Sequence, residues 1–263
     1  MQAAARRRPV GELLREWRDR RRISQLDLAI SADISTRHLS FVETGRSKPS
    51  REMVLRLGEH LEVPLRERNQ LLLAAGYAPA YTESALADPE LGAVRQAVRL
   101  LLSSHEPYPA AVVDRGWNLV DANASISLFV DGVAPELLTN VLRATLHPDG
   151  MAPHITNLGE WRAHLLGRLR RQVAQTADVA LAELLEELRG YPCDQPVPEV
   201  EVPGPGDIFV PLRYRHDGTD LTFFSTVATF GTPLDVTVAE LVIESFFPAD
   251  PATAEYLRMR AGN

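Results

Sequence analysis

The stretch ISQLDLAISADISTRHLSFVETGRSKP, residues 23–49, decides the fold of the N-terminal part of this chain. It holds two short runs with helical apolar spacing, and each is opened by a serine, Ser24 or Ser35, whose hydroxyl can cap a helix N-terminus. Asp33 lies between the runs, and aspartate tolerates the left-handed backbone conformation that a tight turn between helices often needs. The pattern predicts a helix-turn-helix followed by a basic loop.

Further helices are predicted on both sides of this motif. Apolar residues at helical spacing begin at Val10, and Ser50 and Pro64 are typical openings of two more helices, the last of which ends at Gly76. Residues 10–76 therefore predict a compact bundle of about five helices.

The remainder of the chain has a different pattern. Residues 77–90 contain prolines and few large apolar side chains, so we predict a helix-turn-helix domain over 1–80 and a second domain over 81–263. The helical segments of the second domain are 91–104, 135–147 and 158–189, with a break near Asp178, and a proline-rich loop covers 192–206. The strand-like runs are Ala110–Asp114, Trp117–Asp121, Ile208–Arg215, Leu221–Phe230 and Val236–Phe247. This order predicts an α+β domain, a five-stranded antiparallel sheet with helices on one face.

The charge of the chain is divided unevenly. The formal net charge is −7, but residues 1–80 carry 15 basic against 10 acidic side chains, whereas residues 81–263 carry 13 against 25. A basic head on an acidic body is typical of a protein of which only one end meets nucleic-acid phosphates.

Cysteine content and hydropathy favour the cytoplasm. Cys193 is the single cysteine, so no intrachain disulfide can form. No apolar run approaches the ~20 residues that span a bilayer, and the basic N-terminus lacks the apolar stretch of a signal peptide. We expect a cytoplasmic protein with no membrane contact.

The third helix of the predicted bundle carries the candidate base contacts. A helix-turn-helix places this helix in the major groove, where its N-terminal residues reach base edges. Those residues are Ser35, Thr36, Arg37 and Ser40. Arg37 is the strongest candidate, because a guanidinium can bond twice with a guanine edge. Phe41 has two interpretations that stay open, contact with a thymine methyl or packing against the first helix.

Phosphate contacts are predicted on either side of that helix. Gln25 opens the second helix, where its backbone N–H and its side-chain amide can hold a phosphate. Arg46, Ser47 and Lys48 follow the third helix and suit the DNA backbone on its far side. A solvated loop is the alternative for these three residues.

This part of the chain resembles the xenobiotic-response-element (XRE) family of helix-turn-helix regulators, which is related to phage repressors. The matching segments are SQLDLA at 24–29, STRHLSFVETG at 35–45 and KPS at 48–50. Asp33 stands where the family usually has a turn glycine. The resemblance implies double-stranded DNA as a partner and an ion pair between Arg18 and Glu43 that ties the first helix to the third.

The resemblance continues along the chain, which is similar to the subgroup of these regulators with an MmyB-like ligand-binding domain. The matching segments are 37–81, HEPYPAAVVDRGWNLVDAN at 105–123, VLRATLHPDGMAP at 141–153, EWRAHLL at 160–166 and FGTPLDVTVAELVIESFFPAD at 230–250. The resemblance implies a PAS-like fold for the second domain and a fatty-acid-like ligand in its cavity.

Candidate ligand contacts come from the apolar layer that a sheet and its helices bury, which can open into a pocket. The apolar candidates are Tyr108, Val112, Trp117, Leu119, Leu142, Trp161, Leu165, Phe223, Phe230 and Phe246. The candidate anchors for a carboxylate are His105, Arg143, His147 and Arg162. An ordinary core position is the alternative for each apolar residue, a surface salt bridge for each arginine, and a capping or core hydrogen bond for each histidine.

Patterns of catalysis or metal binding are weak in this sequence. His147, Asp149 and His154 do not have the spacing of a strong metal site, and Cys193 has no nearby histidine in its proline-rich loop. The sequence also lacks a glycine-rich phosphate loop. We therefore expect neither an enzyme nor a bound metal or cofactor.

Two hypotheses of function follow. The first is a sequence-specific, homodimeric transcription regulator whose second domain senses a small fatty-acyl or amphipathic ligand. The second is a DNA-binding adaptor whose acidic second domain recruits a protein partner without a small ligand. Co-purification of a lipid would favour the first hypothesis.

Overall fold

A computed structural model of the chain describes residues 8–196 and 210–262. The chain forms two compact units. The first contains the chain up to Ser84 together with Thr232–Ala239, and the second contains Ala85–Gly231 and the chain from Glu240 onward. The predicted domain boundary at residue 80 stays a prediction.

The first unit is built on the five predicted helices. They are α1 (Val10–Arg21), α2 (Gln25–Ser31), α3 (Thr36–Glu43), α4 (Arg51–His60) and α5 (Leu65–Ala74). The side chains of Ser24, Ser35 and Ser50 cap α2, α3 and α4, since each Oγ accepts a backbone N–H three residues on, at 3.1–3.2 Å. These caps confirm the helix starts predicted from the sequence.

The turn between α2 and α3 has the predicted backbone conformation. Asp33 has a φ of 52°, in the left-handed region that its short polar side chain tolerates. Gly11 allows α1 to approach α3 closely, because a Cβ at this position would lie 2.2 Å from the carbonyl oxygen of Val42. Leu14, Leu39 and other buried apolar side chains fill the space between the helices.

A buried ion pair joins three helices of the first unit. Arg18 on α1 donates from Nε to Oε1 of Glu43 at 2.7 Å and from Nη2 to Oε2 at 3.1 Å. Gln25 on α2 donates from Nε2 to the same Oε2 at 2.7 Å. The Glu43 side chain, at the end of α3, is only 2% exposed. The ion pair implied by the family resemblance is confirmed, and Gln25 extends it to α2.

The rest of the chain contains seven helices and five strands within the described residues. In chain order these are α6 (Gly92–Ser104), β1 (Ala110–Val113), β2 (Leu119–Ala122), α7 (Ser127–Val130), α8 (Val141–Leu146), α9 (Leu158–Thr176), α10 (Val179–Arg189), β3 (Leu212–His216), β4 (Thr219–Ala228), α11 (Val236–Ala239), β5 (Val242–Pro248) and α12 (Pro251–Ala261). The strands form one sheet in the order β2-β1-β5-β4-β3, with every neighbouring pair antiparallel. The five-stranded antiparallel sheet is confirmed.

Helices pack on both faces of this sheet, so the prediction of helices on one face is wrong. Trp161 and Leu165 of α9 belong to one core cluster with Leu212 of β3. Val98 of α6 belongs to a different cluster with Val112 of β1. All four residues of β1 are buried, so alternate side chains supply an apolar layer to each face.

The run predicted as one strand over Val236–Phe247 is divided between a helix and a strand. Asp235 Oδ1 accepts the backbone N–H of Thr237 at 2.8 Å and that of Val238 at 3.3 Å, which starts α11 instead of a strand. The apolar character of this run is kept, since Val236 and Val238 are both buried. β5 begins only at Val242.

Other predicted boundaries shift for local reasons. β2 begins at Leu119 rather than Trp117, because Trp117 has a φ of 65° and cannot belong to a strand. The break near Asp178 is confirmed, since Ala177 ends α9 at a φ of 52° and the Asp178 side chain caps α10. The part of the predicted loop and strand over 197–209 lies outside the described residues.

The Arg18–Glu43 pair is expected to stabilise the first unit strongly. Glu43→Ala should lower the free energy of unfolding by about 3–5 kcal/mol, because it removes the buried partner of a mostly buried guanidinium and leaves it only the exposed Asp19 and the carbonyl of Ile23. Urea denaturation followed by circular dichroism measures this loss. Arg15→Ala, which removes an ion pair whose members are 66% and 58% exposed, is the matched control and should cost about 1 kcal/mol or less. Equal losses in the free energy of unfolding for the two variants would show that the buried pair stabilises the unit no more than an exposed one.

Candidate functional sites

The N-terminal end of α3 presents an exposed arginine beside an aromatic ring. Arg37 is exposed, and its guanidinium carbon lies 5.4 Å from the centre of the Phe41 ring. The guanidinium carbon of Arg46, which is also exposed, lies 5.9 Å from the same ring. Phe41 is half-buried, so its ring holds two cations in place through cation–π contacts. This arrangement was not among the two interpretations of Phe41.

The neighbouring polar residues differ in what they can offer. Ser35 is exposed, and its Oγ accepts the N–H of His38, which leaves the hydroxyl proton for another partner. Thr36 and Ser40 are half-buried. Gln25 is constrained, because one hydrogen of its amide nitrogen donates to Glu43, which leaves the second amide hydrogen and the backbone N–H as donors for a phosphate. Base and phosphate contacts by these residues stay predictions.

The basic loop after α3 is held against the end of the helix and against Tyr77. The backbone N–H groups of Arg46 and Ser47 both donate to the carbonyl of Phe41, at 2.8 and 3.0 Å. Lys48 Nζ lies 5.2 Å from the centre of the Tyr77 ring, and the Tyr77 hydroxyl donates to the carbonyl of Pro49 at 3.0 Å. The loop is therefore ordered by specific contacts. We call Arg37, Phe41, Arg46 and Lys48 the basic surface.

A cavity of about 80 Å³ lies in the second unit. It is bounded by one face of the sheet and by helices α7, α8 and α9. Its lining is Ala111, Val113, Trp117, Leu119, Ile126, Phe129, Val130, Leu138, Val141, Leu142, Ala144, Thr145, Met151, Trp161, Leu165, Leu212, Glu244 and Phe246. Glu244 is the only charged side chain among these described residues.

The polar edge of the cavity is an ion pair. Glu244 on β5 is 7% exposed, and its Oε1 accepts a hydrogen bond from Nη1 of Arg168 on α9 at 2.9 Å. The guanidinium carbon of Arg168 lies 4.9 Å from the centre of the Trp117 ring. Trp117 in turn donates its indole N–H to Oε1 of Gln172 at 2.7 Å. A large residue at positive φ is strained, so the contacts of Trp117 hold it in a costly conformation at the cavity wall.

A histidine lies beside this edge. His164 stacks on Trp161 with ring centres 5.3 Å apart. Burial, followed by the positive charge of Arg168, lowers the pKa of His164 below its usual value. The lowered pKa favours the neutral form of His164 beside the charge of Arg168.

Comparison with known proteins assigns both units. A family model described as the MmyB-like transcription regulator ligand binding domain matches residues 94–259, and a model described as a helix-turn-helix domain matches residues 9–71. The chain belongs to the MmyB-like transcription regulators. Its two matched segments are a helix-turn-helix domain and the ligand binding domain of this family.

Individual proteins add little to this assignment. None of the curated proteins matches the chain. A solved structure of an RNA-binding light-oxygen-voltage receptor is 12% identical, with a TM-score of 0.30, and the match covers 99% of this chain. The chain spans 65% of the length of that receptor. At this TM-score the similarity supports no conclusion about fold or function.

Several of the apolar residues predicted for the ligand site of this MmyB-like regulator line the cavity. They are Trp117, Leu119, Leu142, Trp161, Leu165 and Phe246. Four others are not part of its lining, namely Tyr108, Val112, Phe223 and Phe230. Val112 and Phe230 belong to the core cluster of α6 on the other face of the sheet, and Phe223 is fully buried in the main core.

The four predicted carboxylate anchors also lie outside the cavity lining and have other partners. Arg143 pairs with Glu187, and Arg162 donates to the carbonyls of residues 188, 189 and 191 at the end of α10. His105 bonds the carbonyl of Phe246 at 2.9 Å through Nε2. His147 accepts the N–H of Asp149 and packs edge-on against Tyr191. Arg143 thus has the salt bridge, and the two histidines the hydrogen bonds, that the sequence left open as alternatives. Arg162 has neither predicted role, because it binds backbone carbonyls.

The ion pair of Glu244 and Arg168 at the cavity was not predicted from the sequence, although the sequence contained one sign of it. In the β5 segment VIESFFP, Glu244 shares a strand face with Phe246, so a charged residue stands on an apolar face. The partner, Arg168, lies 76 residues away, and no local pattern connects the two.

Metal and membrane features can be tested within the described residues. No group of three or more potential metal ligands occurs there, and Cys193 is a free thiol. No helix in this part of the chain combines the length and the hydropathy that crossing a bilayer requires.

The role of Arg143 can be checked by titration. The hydrogen bond from Arg143 lowers the pKa of Glu187 from 4.5 to about 2, against the effect of burial. A lowered folded-state pKa gives stability that is present above about pH 4.5 and is lost as the pH falls towards 2. Arg143→Gln should return the pKa of Glu187 towards 4.5, as measured by NMR titration of its carboxyl carbon.

Arg189→Gln is the control for this titration. Arg189 pairs with the neighbouring Glu186, so its loss should leave the pKa of Glu187 unchanged. If the pKa of Glu187 stays near 2 in Arg143→Gln, Arg143 is not the residue that lowers it. Arg143 would then not be paired with Glu187 and would be available to another partner.

Proposed function

We propose that this MmyB-like regulator binds a specific operator through α3 and the basic surface. The observation that carries the proposal is the exposed pair of arginines, Arg37 and Arg46, whose guanidinium carbons lie 5.4 and 5.9 Å from the centre of the Phe41 ring. Cations with fixed positions lose less conformational entropy when they bind. The net positive charge of residues 1–80 supports a role in meeting phosphates.

Base recognition and phosphate contact fall to different residues. Arg37 lies in the first turn of α3, from which side chains reach base edges in the major groove, together with Ser35, Thr36, Ser40 and Phe41. Arg46, Ser47 and Lys48 lie in the loop after α3, where they bind the sugar-phosphate backbone, and Gln25 binds it from the start of α2.

The regulator acts as a cytoplasmic homodimer. One helix-turn-helix reads only a short base sequence, and two heads about 34 Å apart read a palindrome on one face of the duplex. The single cysteine fits a reducing compartment, since the chain needs no disulfide.

The second unit senses a small amphipathic ligand in its cavity and is not an enzyme. The apolar lining supports the ligand class. The cavity volume of about 80 Å³ is smaller than the ~300–1,000 Å³ typical of drug-sized ligands, so a long acyl chain would have to widen it. A ligand that prefers the widened state shifts the population of conformations.

Residues 232–239 provide a covalent route from the cavity to the DNA-binding unit. They belong to the first unit, where Val236 N–H donates to the carbonyl of Thr82 at 2.8 Å and Thr237 Oγ1 donates to that of Ser84 at 2.7 Å. The chain then enters β5, which carries Glu244 and Phe246 into the cavity lining. A displacement of β5 by ligand therefore acts directly on a segment that is part of the DNA-binding unit.

Two substitutions separate base recognition from phosphate contact. Arg37→Ala should reduce discrimination between the operator and a base-substituted operator by about 1–3 kcal/mol. Arg46→Ala should weaken binding to both sequences alike and reduce the slope of log affinity against log salt by about 1. Fluorescence anisotropy at several salt concentrations measures both effects, on an operator selected in vitro by the wild-type protein.

Arg15→Ala is the control for nonspecific charge loss. It removes an exposed arginine from α1 with the same change of net charge, and it should leave operator binding within about twofold of wild type. If Arg37→Ala and Arg46→Ala also bind like wild type, α3 and its loop do not form the DNA interface.

A further inference from the structure

The cavity has one chemical feature that selects among ligands, the carboxylate of Glu244. It lies on the same strand face as Phe246, and its register partner on β1 is Ala111, whose small side chain leaves space in front of it. The other polar lining groups are partly used, since Thr145 Oγ1 donates to the carbonyl of Val141 at 2.7 Å and the Trp117 indole donates to Gln172.

Glu244 is only partly satisfied by the protein. Among the described residues, Arg168 is its one hydrogen-bond partner, through Oε1. An ionised carboxylate can accept about four hydrogen bonds. Burying one costs free energy until those hydrogen bonds are made. The Glu244 carboxylate therefore keeps acceptor capacity that the described residues do not use, and Glu244 is part of the lining of an apolar cavity.

A carboxylate ligand does not suit this wall. Its negative charge would face that of Glu244 in surroundings of low dielectric constant, where like charges repel strongly. Arg168 already has Glu244 as its counter-ion, since its Nη1 is bonded to that carboxylate, so a second acid would leave an unbalanced negative charge at this wall. A group that donates a hydrogen bond meets no such obstacle.

We propose that the cavity binds a small apolar ligand whose polar end is a hydrogen-bond donor, an amine or a hydroxyl, held by Glu244. This inference rests on the proposed function of the second unit as a ligand sensor, and it changes the ligand class from a fatty acid to a donor-ended amphiphile. Between the two donors, the amine binds more tightly, since hydrogen bonds to charged partners are the stronger ones.

Three probes of equal chain length test the ligand class, namely 1-hexylamine, 1-hexanol and hexanoate. Short chains are chosen because the cavity is small. Thermal unfolding of the full chain at pH 7 should show a concentration-dependent rise in Tm with hexylamine and hexanol and none with hexanoate. Ala111→Leu, which fills the space before Glu244, should abolish the rise for both donors.

Glu244→Gln tests the anchor. It removes the charge and keeps the size, so the affinity ratio of hexylamine to hexanol should fall by about tenfold. The wild-type chain supplies a second measurement that does not depend on the stability of this variant. NMR should show a nuclear Overhauser effect between the methylene beside the probe nitrogen and the side chain of Glu244.

The outcomes distinguish this inference from the proposed function. Stabilisation by hexanoate equal to or greater than that by the donors overturns the donor class but leaves the second unit a ligand sensor. A nuclear Overhauser effect that places the methyl end of the probe at Glu244 also overturns it. If no probe changes the Tm of wild type, both the donor class and the cavity as a ligand site are wrong, while DNA binding by the first unit is unaffected.

Discussion

The contact between Glu43, Arg18 and Gln25 is the interaction on which the DNA-binding unit depends. The carboxylate lies at the end of α3 and binds donors from α1 and α2, so it determines where α3 lies relative to the other two helices. The N-terminal side chains of α3 can recognise bases only if that orientation is fixed, because base contacts are directional. The same contact occupies one amide hydrogen of Gln25, so the stability of the helix-turn-helix limits what Gln25 can offer a phosphate.

Glu43 in the first unit and Glu244 in the second are buried carboxylates paired with an arginine, and they differ in how many hydrogen bonds they accept from the described residues. Glu43 accepts three hydrogen bonds from two side chains and shows the saturation expected of a structural group. Glu244 accepts one, at the wall of a cavity. A buried acceptor that the protein leaves partly unsatisfied costs free energy, and a ligand that completes it recovers that cost. The number of donors around each carboxylate thus fits a structural role for Glu43 and supports the binding role that we propose for Glu244.

The sequence predicted what short-range patterns and family resemblance determine. The serine caps, the turn at Asp33 and the break at Asp178 depend on neighbouring residues, and the structure contains all of them. Partner choice over long separations was not predictable in this way. Arg143 and Arg162 were expected at a ligand, but each finds partners on α10 that only the folded chain brings close.

The residues that line the cavity show the same limit of prediction from the sequence. Large apolar side chains such as Trp117 and Trp161 were identified as candidates from their type, but the same reasoning selected Val112 and Phe230, which pack on the opposite face of the sheet. The face of a strand residue depends on register, and both β2 and β5 begin later than their apolar runs.

The position of α11 links these observations to regulation. Asp235 accepts the backbone N–H of Ser84 at 3.0 Å and that of Thr237 at 2.8 Å. Burial acts to raise the pKa of Asp235, but hydrogen bonds from Ser84, Thr82 and Val238 outweigh it and lower the pKa. The segment is thus anchored in the first unit at one end and continuous with β5 at the other. A ligand that moves β5 can change DNA binding only to the extent that its affinity differs between the two positions of the strand. Glu244 lies on that strand, so the group that would hold the ligand and the segment that would transmit its effect are parts of one short stretch of chain.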